Sequence, residues 1–107
     1  MPKYLMFASY STEGVKGVQR DRASGRRDAV IKALAAAGAR LEQMYFTFGD
    51  DDVAMVVDAP DNASIMAVSV AAGASGLCRM RTLPLISIDE ADRAIDAHLT
   101  YPAAGGS

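Results

Sequence analysis

A chain of 107 residues, 50% hydrophobic and 22% charged, has the size and composition of one folded domain with one modest core. Its net charge of −2 gives no electrostatic reason to approach nucleic acid or an anionic membrane. A single cysteine cannot close an intramolecular disulfide, so a reducing, cytoplasmic setting is expected, and no apolar run nears the roughly 18 residues of a membrane span.

Lys3 to Ser11 reads as a first strand. Leu5, Phe7 and Ser9 alternate with Tyr4, Met6, Ala8 and Tyr10, so both faces are largely apolar and both should be covered. The run lacks the longer apolar core and cleavage site of a signal peptide. Thr12 to Gly17 is expected as a glycine-punctuated turn that can include a short helical piece. A helix from Asp21 to Ala37 follows, capped by Asp21 or Ser24 and ended by Gly38.

The stretch Arg40 to Pro60 organises the rest. It holds a second strand, Ala39 to Phe48, and a third, Asp52 to Ala59, folded back on each other about Gly49-Asp50. Val53, Met55, Val57 and Ala59 share one face of the third strand and Ala54 and Val56 the other, which marks this strand, like the first, as central. Pro60-Asp61 stops it and caps a second helix, Asn62 to Ala74, that is apolar nearly all round. A fourth strand, Leu77 to Ser87, is edged by Pro84. It sets Leu77, Arg79, Arg81 and Leu83 against Cys78, Met80 and Thr82. A last helix, Asp89 to Leu99, turns Ala91, Ile95 and Leu99 inward. One domain over residues 1–101 and a flexible tail over 102–107 result.

The order β-α-β-β-α-β plus a helix predicts an α+β, ferredoxin-like fold. Right-handed crossovers give an antiparallel sheet of order 4-1-3-2. Helices cover one sheet face, and the simplest cover for the other is a second copy, so a face-to-face homodimer is expected.

Several stretches then carry a family resemblance. Met1-Pro-Lys-Tyr opens the first strand, Ser9-Tyr-Ser-Thr-Glu-Gly14 follows it, and Arg26-Arg-Asp-Ala29 lies in the first helix. Phe46-Thr-Phe-Gly-Asp-Asp-Asp-Val53 spans the hairpin, with Ala59-Pro-Asp61 after it and Gly76-Leu-Cys-Arg-Met-Arg-Thr-Leu83 in the fourth strand. Over residues 2 to 99 the chain resembles the GYD-domain family, small bacterial proteins of the dimeric α+β barrel superfamily. The resemblance implies fold and assembly more than chemistry, since fold alone does not set function. Relatives by fold include small oxygenases, isomerases and effector-binding domains. Gly49 and Asp52 match the family's glycine and aspartate, but Asp51 stands at the tyrosine.

Arg79 and Arg81, two apart on a strand, point the same way and form the strongest candidate for gripping a carboxylate or phosphate. Tyr10, Tyr45 and Asp58 are polar groups near sheet ends that need partners if buried, and a ligand is one such partner. Asp50, Asp51 and Asp52 read as a solvated acidic turn rather than a cation site. Arg20, Arg22, Arg26 and Arg27 read as a solvated helix face. His98, the only histidine, excludes a multi-histidine metal centre, and Cys78 reads as a small core filler. Gly14, Gly17 and Gly25 fit no nucleotide-binding spacing. These features favour a homodimer binding a small molecule, an anionic one if the paired arginines are used, with no cofactor, metal, nucleic acid or membrane. The alternatives are a cofactor-independent isomerase or oxygenase using Asp58, Tyr10 or His98 as acid or base, and a structural subunit of a larger assembly.

Overall fold

The computed structural model describes residues 1–105. Its elements are β1 (Lys3–Tyr10), α1 (Thr12–Ala36), β2 (Arg40–Phe46), β3 (Val53–Asp58), α2 (Asn62–Ala74), β4 (Cys78–Pro84) and α3 (Ile88–Ile95). The four strands make one antiparallel sheet in the order β2-β3-β1-β4, the predicted 4-1-3-2 read from the other edge. Gly106 and Ser107, the end of the expected tail, lie outside the described residues.

Alternation along β1 and β3 builds the core. Tyr4, Met6 and Ala8 meet Val53, Met55 and Val57 on one face, where Leu34 of α1 and Ile65 of α2 pack on them. Each buried Val, Leu, Ile or Met among them contributes about 1.5–3 kcal/mol by leaving water. Leu5, Phe7, Ala54 and Val56 occupy the opposite face, half-buried and without a helix over them. Tyr45 and Leu83 flank that open face, 64% and 40% exposed. An extra residue in β2, Glu42, sits between the Leu41–Val57 and Gln43–Val56 pairs and forms a bulge.

The start of α1 differs from the sequence expectation. Residues 12–17 are helical throughout, more than the expected turn with a short helical piece, because Ser11 is the N-cap and its hydroxyl accepts the Gly14 N–H at 3.1 Å. A Cβ at Gly14 would lie 2.0 Å from the Leu77 carbonyl oxygen, so glycine here permits close packing of helix on chain rather than a turn. Asp21 and Ser24 do not begin the helix; instead Arg22, at φ 65 and ψ 170, breaks α1 into two limbs. The second limb ends as predicted at Gly38 (φ 72), where the Gly38 N–H reaches Ala35 O at 3.0 Å and the Ala39 N–H reaches Leu34 O at 2.9 Å.

The last helix differs too. It stops at Ile95, short of Leu99, and its residues are exposed except for the half-buried Ala91. Ile88, Ile95 and Leu99 are 79%, 68% and 91% exposed, so they do not turn inward on this chain. The molecule is drawn out accordingly, with a 59 Å long axis and a radius of gyration of 17.4 Å against about 13 Å for a compact chain of this length. Among the described residues no helix is long and apolar enough to cross a membrane.

Candidate functional site

Between α1, α2 and the helix-bearing face of the sheet lies a cavity of about 460 Å³. It exists because the facing residues of both helices are small. Ala29, Ala33 and Ala36 on α1 look across to Ala67, Ala71 and Ala72 on α2, and Met55, Met80 and Val53 form the floor. Alanines hold the helices without filling the space between them. The size falls within the range of ligand sites, which are mostly apolar with a few placed polar groups.

Those polar groups converge at one end, where Tyr10 of β1, Cys78 of β4 and Arg26 of the second limb of α1 line the wall. Tyr10 and Cys78 are paired across the two strands. Tyr10 is further fixed by its N–H, which donates to Asp52 Oδ2 at 2.7 Å, and by its ring, 6.4 Å from that of Phe46. Arg26 Nη1 donates to Asp21 Oδ2 at 3.5 Å, across the break at Arg22. Its Nε is buried and meets no acceptor among the described residues. A buried guanidinium N–H without an acceptor is costly, so it marks the place where a ligand oxygen would be bound most profitably.

Burial raises the Tyr10 phenol, and Arg26 draws it partly back. Cys78 behaves alike: burial pushes its thiol up and Arg26 counteracts. Both groups are therefore held protonated at neutral pH, as hydrogen-bond donors or apolar lining, not as an activated nucleophile or base.

Of the five residues expected from sequence to bind a ligand, Tyr10 alone reaches this cavity. Arg79 and Arg81 do share a face, opposite Ser9 and Phe7, but it is the open face of the sheet. Arg81 is engaged there: Nη2 donates to Asp51 Oδ2 at 2.9 Å, and the guanidinium lies 4.2 Å over the Phe7 ring. Tyr45 pairs with Ala54 on that same face. Asp58 is buried at the far end of β3, accepting from Lys3 Nζ at 2.8 Å and Arg40 Nη2 at 3.3 Å. Chiefly the Lys3 ammonium holds its carboxyl below the usual range. The five residues thus do not form one cluster. His98, at φ 52, follows α3 and stands away from the cavity lining.

Sequence reading assigned Arg26 to a solvated helix face. The signal against that was helical spacing, because Arg26 falls three, four and seven residues before Ala29, Val30 and Ala33, on the face that looks into the cavity.

The family model described as GYD domain matches residues 4–95 of the chain. No curated protein matches it.

Proposed function

The chain belongs to the GYD-domain family, and on that premise we propose that it is a homodimer that binds a small apolar acid between its helices and its sheet. The observation that carries this is the apolar cavity closed at one end by Arg26, whose buried Nε has no acceptor. A carboxylate would take that N–H, with the Tyr10 hydroxyl as a second donor, while an apolar body lies along the alanine and methionine lining. Burial that keeps Tyr10 and Cys78 protonated suits them to donate hydrogen bonds to such a ligand.

The open sheet face supports pairing with a second copy. Leu5, Phe7, Ala54 and Val56 form an apolar patch that the chain's own helices leave bare, and a two-fold contact covers both copies of it at once. Arg79, Arg81 and Tyr45 would then lie in or beside that contact. A lone Cys78 thiol suits a reducing compartment such as the cytoplasm.

Octanoate tests the site, with octanol as the uncharged control. Octanoate should raise the melting temperature more than octanol does, and Arg26→Met should abolish the difference while leaving the fold intact. A charged hydrogen bond of about 1.5–3 kcal/mol corresponds to a loss of tenfold or more in octanoate affinity. Equal stabilisation by the two probes, or unchanged octanoate affinity in Arg26→Met, would remove Arg26 from the site.

A further inference from the structure

We propose that α3 is an exchanged arm, which leaves its own chain and lies on a second copy along the apolar band between that copy's α1 and α2. This goes beyond ligand binding and beyond the sheet-face contact, and it rests on neither.

The arm is a formed helix without a partner. Ser87 caps it, its hydroxyl accepting the Glu90 N–H at 3.1 Å. Its length of eight residues is below what stays helical in water unaided. Ile88, Ala91 and Ile95 recur at spacings of three and four and form one apolar stripe, extended past the helix end by Leu99. On its own chain the arm stays exposed apart from Ala91, and its connection to the sheet is short. The Leu85 N–H is bonded to Lys3 O at 2.9 Å, leaving only Ile86 and Ser87 between the sheet and α3. Two residues span about 7 Å at most.

The receiving surface is the band on α2, an apolar helix with no charged residue, whose Met66 and Val70 are 65% and 57% exposed. Across the cavity mouth the band continues onto Ala29 and Ala33 of α1. Charge selects a second copy over other occupants. With its C-cap Asp96, α3 carries Asp89, Glu90, Asp92 and Asp96 against Arg93, a net −3. The limb of α1 that borders the band, residues 23–36, carries Arg26, Arg27 and Lys32 against Asp28, a net +2. Lys32 lies three residues after Ala29 and four before Ala36, beside the band, where an acid of the arm would meet it. An anionic lipid surface would repel an arm of this sign.

The test joins two chains that each hold one introduced thiol, in a Cys78→Ser background. One carries Ile95→Cys on the arm and the other Val70→Cys on α2, both at exposed positions where folding should survive. Mixed under mild oxidation, they should give a disulfide-linked dimer of one chain of each kind. Adding Lys32→Glu to the second chain should lower the yield severalfold, and adding Asp92→Lys to the first should restore it. No cross-link in the mixture would overturn the proposal. So would closure within one chain carrying both substitutions while the mixture stays unlinked, since the arm would then be folded back on its own chain.

Discussion

Asp51 and Arg81 are joined by a 2.9 Å ion pair across the open face of the sheet. Asp51 stands where the resemblance puts the family's tyrosine, so the change of residue comes with a partner: a carboxylate that occupies one of the two arginines on that face. The Ser9 hydroxyl donates to Asp50 O at 2.8 Å, with Asp51 Oδ1 3.3 Å away as the alternative acceptor, tying the hairpin tip to β1.

In the separate chain the Arg81 side chain is 59% exposed, so solvent screens the pair and its contribution at concentrations where chains are apart should stay below about 1 kcal/mol. Asp51→Asn is expected to lower the unfolding free energy by no more than that in low salt. Near 1 M salt the difference should shrink further, because screening acts within about 3 Å there. Urea titrations at the two salt concentrations measure both numbers. A loss of several kcal/mol would show that the pair is desolvated in the protein as it assembles.

Arg22 occupies a backbone region that is almost exclusively glycine's, at φ 65 and ψ 170, and such a residue costs about 1–3 kcal/mol. The strain sits four residues before Arg26 and sets the direction of the limb that carries it to Tyr10. Arg22→Gly should therefore stabilise the chain by about 1 kcal/mol, less what the glycine gives up in the unfolded state. Thermal unfolding should shift up by about 4–8 °C for each kcal/mol gained. A lower melting temperature would mean that the Arg22 side chain makes stabilising contacts that outweigh its backbone.

Asp58 bears on acid stability. Its folded pKa is depressed, first by the hydrogen bond from Lys3 and then, against burial, by Arg40. A depressed carboxyl contributes stability that is complete above its ordinary pKa and is lost as pH falls through the folded value. Melting temperature should accordingly fall as pH drops through and below the ordinary carboxylate range. Asp58→Asn should be less stable at neutral pH and should show a shallower acid limb. A limb of unchanged steepness would assign the acid loss to Asp21 and Asp61, whose carboxyls are also held low, chiefly by Arg20 and by the Ser64 backbone N–H.

Strand order, central strands and the caps at Gly38 and Asp61 were legible in the chain because alternation and capping are local properties. The entrance to α1 was not. Gly14 and Gly17 read as turn residues, yet both are buried, and at Gly14 the requirement comes from the Leu77 carbonyl, more than sixty residues away. The cavity was hidden for a similar reason. Alanine-rich helices announce helical stability, and only the sheet beneath shows that Ala33 and Ala71 leave space between them. Arg26 looked like one of four solvated arginines until the break at Arg22 aimed it inward.

The open face yields the last prediction. Val56 lies on central β3 with its side chain away from Leu34 and Ile65, so a charge there spares the core that folds the chain. A two-fold sheet contact of ordinary size buries about 1,200–2,000 Å² in total, and its centre cannot hold an unpaired ammonium without a large desolvation cost. Val56→Lys should therefore lose the sheet-face contact and sediment as a smaller species than the unaltered chain, with an unchanged far-ultraviolet circular dichroism spectrum. Because the α3 contact uses a different surface, cross-linking between the arm and Val70→Cys should persist at high protein concentration in this variant. Its loss together with the dimer would mean that the arm reaches its neighbour only when the two sheets are already face to face.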